Sequence, residues 1–345
     1  MEFTDSSVYE DYNETGDAPP EAGSLSLDSM GLPSGLSVAL MAVNVGICLL
    51  GLCGNGLVIW ISGFRMKRTV NTTWYLSLAV SDFIYCSFLP FNIATMADVG
   101  WPFGLLMCKL ASLVLLLNMF SSIFLLVLVS VDRCLTVAFP VWSLNHRTPR
   151  KASISVLVAW AASAALSIPA LAFRQVKANG SVTVCYTDYG GSQGIVALSR
   201  FLCGFVVPFL VIVTCYSFII KKLWSKRAAK SSKPFRVMSA LILAFFLCWF
   251  PYHLFVLLQL DRGNFSYRVI KTGLMVGSTI ASANSFLNPI LYVLVGHDFR
   301  KKLKSSLLLQ MEDAIREESQ THSRTLSRHT SVPEGQARVI RDRLS

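Results

Sequence analysis

Asp132 and Arg133 stand side by side near the end of an apolar run that begins near Leu105. At the centre of a bilayer each charge would cost roughly 2.5 to 3.5 kcal/mol, so their place at the end of the run needs a reason. Two readings fit: interfacial anchors whose charges reach water, or a charged switch on an inner face. A second polar set lies inside apolar segments, with Asp82 in Leu78-Ala-Val-Ser-Asp and Asn55, Asn118, Ser122, Asn284, Ser285 and Asn288 at comparable depth. Lone polar residues of this kind tie helices together by hydrogen bonds. A carboxylate among amide and hydroxyl oxygens also suits a small hard cation such as Na⁺, or a proton when the ion is absent.

A third feature is Arg200, two turns before Pro208 in another apolar segment. A cation at that depth belongs in the interior of a bundle, where its planar fork suits a carboxylate. Leu113, Leu116, Phe173, Tyr252, His253, Leu274 and Met275 are the expected apolar and aromatic walls of a pocket around it, with Asp188 and Gln259 as polar contacts. Ordinary helix packing explains any one of these equally well. Arg174, Lys177, Arg262, Arg268 and Lys271 add positive charge at the mouth, against an acidic N-terminal stretch. That polarity suits a ligand with a basic body and an anionic terminus directed at Arg200.

The elements that must position these residues follow from composition. The chain is 53% hydrophobic and 15% charged, which places it among integral membrane proteins. Seven apolar segments, at about 38–62, 70–97, 105–138, 152–172, 195–222, 236–260 and 270–295, each span the ~30 Å hydrocarbon layer as a helix. Lys and Arg concentrate in alternate connections, as at Arg65, Lys67 and Arg68 or Arg147, Arg150 and Lys151. By the positive-inside rule the N-terminus is outside and the C-terminus inside, so the net charge of +11 reports topology and not nucleic-acid binding. Four regions result: an acidic, disordered extracellular tail at 1–37, a bundle at 38–296, an amphipathic helix at 297–309 and a disordered cytoplasmic tail at 310–345.

On the outer side, Asn13, Asn179 and Asn264 open glycosylation sequons, and Tyr9 and Tyr12 among acids are candidates for sulfation. The sequon at Asn71 falls inside and is expected to go unused. Cys108 and Cys185 both lie on the oxidising side, and a disulfide between them would pin the connecting loop as a lid. In the inner tail, Ser319, Thr321, Ser323, Thr325, Ser327, Thr330 and Ser331 form a candidate phosphorylation cluster. Pro251 in Cys248-Trp249-Phe250-Pro251 and Pro289 in Asn288-Pro-Ile-Leu-Tyr292 each remove a helical hydrogen bond and predict a kink.

Taken in order, Gly54-Asn55, Leu78 to Asp82, Cys108, Asp132-Arg133-Cys134, Trp160, Cys248 to Pro251 and Asn288-Pro-x-x-Tyr292 resemble the rhodopsin-like G-protein-coupled receptors. The resemblance implies an all-α membrane protein, a seven-transmembrane bundle with a short amphipathic eighth helix. It also implies that Arg133 meets a G protein, that Trp249 transmits ligand contact, and that Tyr292 rotates inward. Asp82, Asn118, Ser122, Asn284 and Asn288 would hold an allosteric sodium ion, with no other cofactor. Where the family usually has Tyr this chain has Cys134, and no acid on the sixth segment faces Arg133, so its restraint is expected mainly from Asp132.

Runs such as Trp101-Pro-Phe-Gly, Pro140-Val-Trp-Ser-Leu-Asn-His-Arg-Thr and Gly296-His-Asp-Phe-Arg resemble the chemoattractant branch, including complement anaphylatoxin, chemerin and formyl-peptide receptors. That branch implies a peptide or small-protein ligand, inhibitory heterotrimeric G proteins, arrestin, receptor kinases and surrounding membrane lipid as partners. Leu116 and Leu274 replace acids that the formyl-peptide and anaphylatoxin types carry there. A carboxylated lipid mediator or a silent scavenging role are the alternatives. An enzyme is not expected, because the five His are scattered and neither a metal-spaced cluster nor a Gly-rich phosphate loop is present. A transporter's paired broken helices and internal repeats are likewise not found.

Overall fold

The structure, a computed structural model, describes residues 34–96, 100–179, 182–225, 233–261 and 264–295. Tyr9, Tyr12, Asn13, Arg262, the amphipathic stretch 297–309 and the hydroxyls from Ser319 to Ser331 lie outside these residues. Helix α1 (Ser34–Trp60) begins inside the stretch assigned above to the acidic tail and runs into a π-helical turn at Ile61–Arg65. Helices α2 (Val70–Met96) and α3 (Gly104–Ala138) follow, then a short α4 (Pro140–His146) and α5 (Pro149–Phe173). An antiparallel hairpin, β1 (Arg174–Asn179) and β2 (Val182–Thr187), lies in the connection that follows α5. The next rod comprises α6 (Gln193–Phe201), a π-helical turn at Leu202–Val206 and α7 (Val207–Ser225), and α8 (Lys233–Leu258) and α9 (Tyr267–Val295) complete the chain.

Among the described residues, six helical stretches are long and apolar enough to cross a membrane. The seventh, α9, carries Thr279, Ser282, Asn284, Ser285 and Asn288 along its length, all buried. Its polar row faces the bundle, so its mean hydropathy understates its place there. Large apolar side chains such as Leu157, Val158, Leu243 and Leu247 stand exposed on the outside, while α3 runs through the middle with Met119, Phe120, Ile123, Leu125 and Val129 buried. An apolar exterior around a partly polar interior is the arrangement a lipid solvent favours.

Helix α1 supplies donors to two helices in which proline removes a backbone hydrogen bond. Pro289 has no N–H to offer the carbonyl of Ser285, four residues earlier, and the Asn55 Nδ2 donates to that oxygen at 2.8 Å. Pro90 likewise frees the carbonyl of Cys86, which accepts from the Cys48 thiol at 3.4 Å. Gly54 permits the approach, since a Cβ there would lie 3.0 Å from the Pro289 ring. At the other side of α9, a Cβ on Gly277 would meet the Tyr252 backbone at 3.0 Å, which seats α9 directly on α8.

The expected disulfide is present: Cys108, buried near the start of α3, is bonded to Cys185 in β2 with their Cα atoms 5.8 Å apart. Trp101 adds a second anchor. It is buried against Cys108 and Ala111, and its backbone N–H donates to Thr183 of β2 at 2.6 Å. The hairpin is therefore tied at two points across one mouth of the bundle.

Candidate functional site

Under the hairpin lies a cavity of about 630 Å³ between α2, α3, α8, α9 and the α6 rod. Of the residues expected there, Arg174, Arg200, Asp188, Leu116, Tyr252, Gln259, Leu274 and Met275 line it. The π-helical turn between Arg200 and Pro208 adds a residue to the register, closed by the Val207 N–H donating to the Leu202 carbonyl. That turn shifts the face on which Arg200 lies by one position.

Arg200 meets a residue that the sequence did not single out. Its Nη1 donates to the Tyr189 hydroxyl at 2.8 Å, and its guanidinium carbon lies 5.6 Å from the centre of the same ring. Tyr189 in turn packs against Phe173 at 5.5 Å, so Phe173 supports the lid and does not line the cavity. The Arg200 Nε is buried without a hydrogen-bond partner among the described residues. Arg174, the first residue of β1, donates from Nη1 to the Cys185 sulfur at 3.7 Å, a weak acceptor. Burial pulls the Arg174 guanidinium down from its ordinary value. Among the described residues the one ion pair joins Arg147 and Asp132, so neither cavity arginine has a carboxylate partner there. Asp188 accepts from the Gly190 N–H at 3.1 Å.

Besides Phe173, two expected wall residues are elsewhere. Leu113 packs against the main apolar core and does not reach the cavity, whereas Leu116, three residues on, does. His253 is buried among the rings of Phe201, Phe205, Trp249 and Tyr252, with centroids 5.4–6.3 Å away, and is likewise outside the cavity. Lys177, Arg268 and Lys271 are also absent from its lining. At the side nearest α1, neutral groups line it instead: Asn44, Tyr85, Asn92 and Ser282, with the Tyr85 and Ser282 hydroxyls 2.6 Å apart.

Below the cavity, Trp249 is buried against Phe245 and Tyr252 just before the proline of α8. Farther along, Asp82 is fully buried, accepting from Asn118 Nδ2 at 2.9 Å and Asn288 Nδ2 at 2.7 Å. Ser285 extends the cluster by donating to Asn118 Oδ1 at 3.4 Å. Ser122 Oγ and Asn284 Oδ1 are buried without a hydrogen-bond partner among the described residues. Ser122 is one turn from Asn118 and Asn284 one turn from Asn288, the two residues that hold Asp82, and such oxygens with a carboxylate are the donor types a hard cation takes. Pro289 lies inside α9, and Tyr292 falls on its last turn with a side chain outside the description.

At the far end the expected Asp132–Arg133 restraint is not found. Both Asp132 oxygens are taken by Arg147, from Nε at 2.8 Å and Nη2 at 2.9 Å. Arg133 instead donates through Nη2 to the Asn71 amide oxygen at 2.5 Å, an oxygen that also accepts from Arg147 at 2.8 Å. The two-toothed fork of Arg147 fits a carboxylate better than a neighbour on the same helix turn can, which is why it wins. Asn71, read above as an idle sequon, is a member of this network. The end of α3 is closed by Lys222, whose Nζ donates to the Ala138 carbonyl at 2.7 Å.

The sequence pattern of the 7 transmembrane receptor (rhodopsin family) matches residues 54–292. The chain belongs to that family. This receptor is 43% identical over 304 residues to chemerin-like receptor 1 of Bos taurus, covering 82% of this chain and 83% of that one. It is 41% identical over 280 residues to the C3a anaphylatoxin chemotactic receptor of Danio rerio, covering 80% and 77%. With N-formyl peptide receptor 2 of Macaca mulatta the identity is 39% over 310 residues, covering 82% and 88%. The receptor is a multi-pass membrane protein of the chemoattractant type, with the disulfide-tied lid and buried polar axis in place.

Proposed function

We propose that this receptor binds an extracellular peptide or small protein, anaphylatoxin- or chemerin-like, through an anionic terminus received by Arg200 and Arg174. One observation carries the reading: two guanidiniums line one lidded cavity with no carboxylate partner among the described residues. A buried cation without a counter-charge is costly, and a ligand carboxylate offsets that cost. The receptor lies in the plasma membrane with its N-terminus outside, where the acidic tail meets the basic body of the ligand. Inside, it couples to inhibitory heterotrimeric G proteins, driving calcium release and chemotaxis, and is desensitised by receptor kinases and arrestin acting on the tail. The exposed Phe139, Val141 and Leu144 at the Arg133 end supply an apolar surface that supports such docking. Asp82, with Asn118, Ser122, Asn284 and Asn288, holds Na⁺, which when bound ties α2, α3 and α9 through shared oxygens.

The deciding experiment is inhibition of cAMP, with and without pertussis toxin, in cells expressing the chain and exposed separately to chemerin, C3a, a formyl peptide and carboxylated lipids. A toxin-sensitive response to one peptide class, lost in Arg133→Ala, is expected. A response to lipids alone would replace the ligand class, and tight uptake without any response would make this a scavenger.

A further inference from the structure

Around Asp132 the side chains do not pair in the order the sequence suggests. Asp132 is adjacent to Arg133 in sequence, yet both its oxygens are bound by the Arg147 fork. Arg133 keeps a hydrogen bond to Asn71, and its Nε is buried without a hydrogen-bond partner among the described residues. Arg147 also donates to the same Asn71 oxygen, so two cations converge on one amide and repel each other.

Arg147 comes just after α4, Asp132 and Arg133 belong to α3, and Asn71 lies in the first turn of α2, so the network spans three separate elements. Arg147 and Asp132 are 26% and 13% exposed, so water screens the pair only in part.

We infer that Arg147 is a positioning residue for coupling: it withholds Asp132 from Arg133 and so leaves Arg133 on a neutral partner, ready to be taken by a docking segment. This rests on the reading that Arg133 meets a G protein. Removing the Arg147 fork does two things together. It frees a carboxylate next to Arg133, and it removes the like charge on Asn71. Both let Asp132 turn to Arg133, which adds an ion pair that the docking segment must break. A simple tie between the loop and α3 accounts for the Arg147–Asp132 contact, but it gives Asp132 no harmful role once Arg147 is gone. The two readings therefore differ in the double variant.

The test uses membranes carrying the full chain at matched surface level, with purified inhibitory G protein and basal nucleotide exchange as readout. Arg147→Gln is expected to lower exchange about fivefold, within the usual range of coupling between sites. Arg147→Gln with Asp132→Asn is expected to return exchange to the level of Asp132→Asn alone, and Arg147→Lys to keep part of the wild-type rate. Unchanged or raised exchange in Arg147→Gln overturns the proposal, as does a fall that Asp132→Asn does not rescue. A parallel readout needs no G protein: a thermal-unfolding cycle between Asp132→Asn and Arg133→Gln, run once with Arg147 intact and once in the Arg147→Gln background. Coupling between the two is expected to emerge only when Arg147 is gone, and equal coupling in both backgrounds overturns the proposal. Should wild type drive no exchange while that coupling emerges, the G-protein reading fails and the positioning role stands.

Discussion

Arg200 concentrates the chemistry of the cavity, because its neighbours Tyr189 and Tyr252 are neutral and its Nε is left over. Replacing it with Gln removes the charge and keeps some hydrogen-bonding capacity. A charge-assisted hydrogen bond contributes about 1.5–3 kcal/mol, so a peptide with a free C-terminal carboxylate should bind about ten- to a hundredfold more weakly to Arg200→Gln. Its C-terminal amide should bind both forms alike, and competition binding with the acid and the amide reads the difference. Equal losses for acid and amide would mean that Arg200 only shapes the wall. The sequence disclosed Arg200 because a cation inside an apolar run has few tolerable places. It did not separate Leu113 from Leu116, since α3 is apolar on nearly every side and periodicity then has no face to choose. Nor did it disclose Tyr189 or the pairing of Arg147, because both contacts join residues whose approach depends on how whole elements pack.

Helices reveal themselves through hydropathy, but their repairs do not. The missing N–H groups at Pro251 and Pro289 follow from proline chemistry, whereas the donor for the Ser285 carbonyl comes from Asn55, 230 residues earlier. Asn55→Ala should leave that carbonyl short of a donor and destabilise the bundle by about 1–3 kcal/mol in thermal unfolding. In a Pro289→Ala background the helix supplies its own N–H, and the same Asn55→Ala change should then cost markedly less. Identical losses in both backgrounds would show that Asn55 acts through packing alone. The hairpin does carry a sequence signal: β1 and β2 are separated by Gly180-Ser181, a pair typical of tight hairpin connections, between Val-bearing runs. The π-helical turn before Pro208 has no comparable signal, since nothing in Leu202–Val206 marks an added residue.

Across the molecule, the seven-helix architecture was legible because lipid imposes length, hydropathy and charge alternation on every span. The buried polar axis was legible as a set of residue types, and its detailed pairing was not. If Asp82 takes sodium, NaCl should raise the thermal stability of the purified receptor above that in choline chloride, and Asp82→Asn should abolish the difference; an equal rise in the variant excludes the site. The lid poses a separate question, since Cys108–Cys185 closes a separation of 77 residues that includes all of α4 and α5. Such a bond typically contributes about 2–4 kcal/mol by restricting the unfolded chain. Here the helices stay inserted when the lid opens, so the restriction acts mainly on the hairpin and a value near the lower end is expected. Cys108→Ser with Cys185→Ser should therefore preserve the bundle, lower its unfolding temperature by a few degrees, and raise hydrogen exchange across 174–187. Exchange within the central turns of α3 around Ile123 should not change. Trp101 remains as the second anchor, because its buried ring fixes the backbone N–H that Thr183 accepts, so a further Trp101→Ala change should release the hairpin more than either alteration alone. Hairpin exchange that stays slow in the combined variant would show that strand packing alone holds the lid over Arg200.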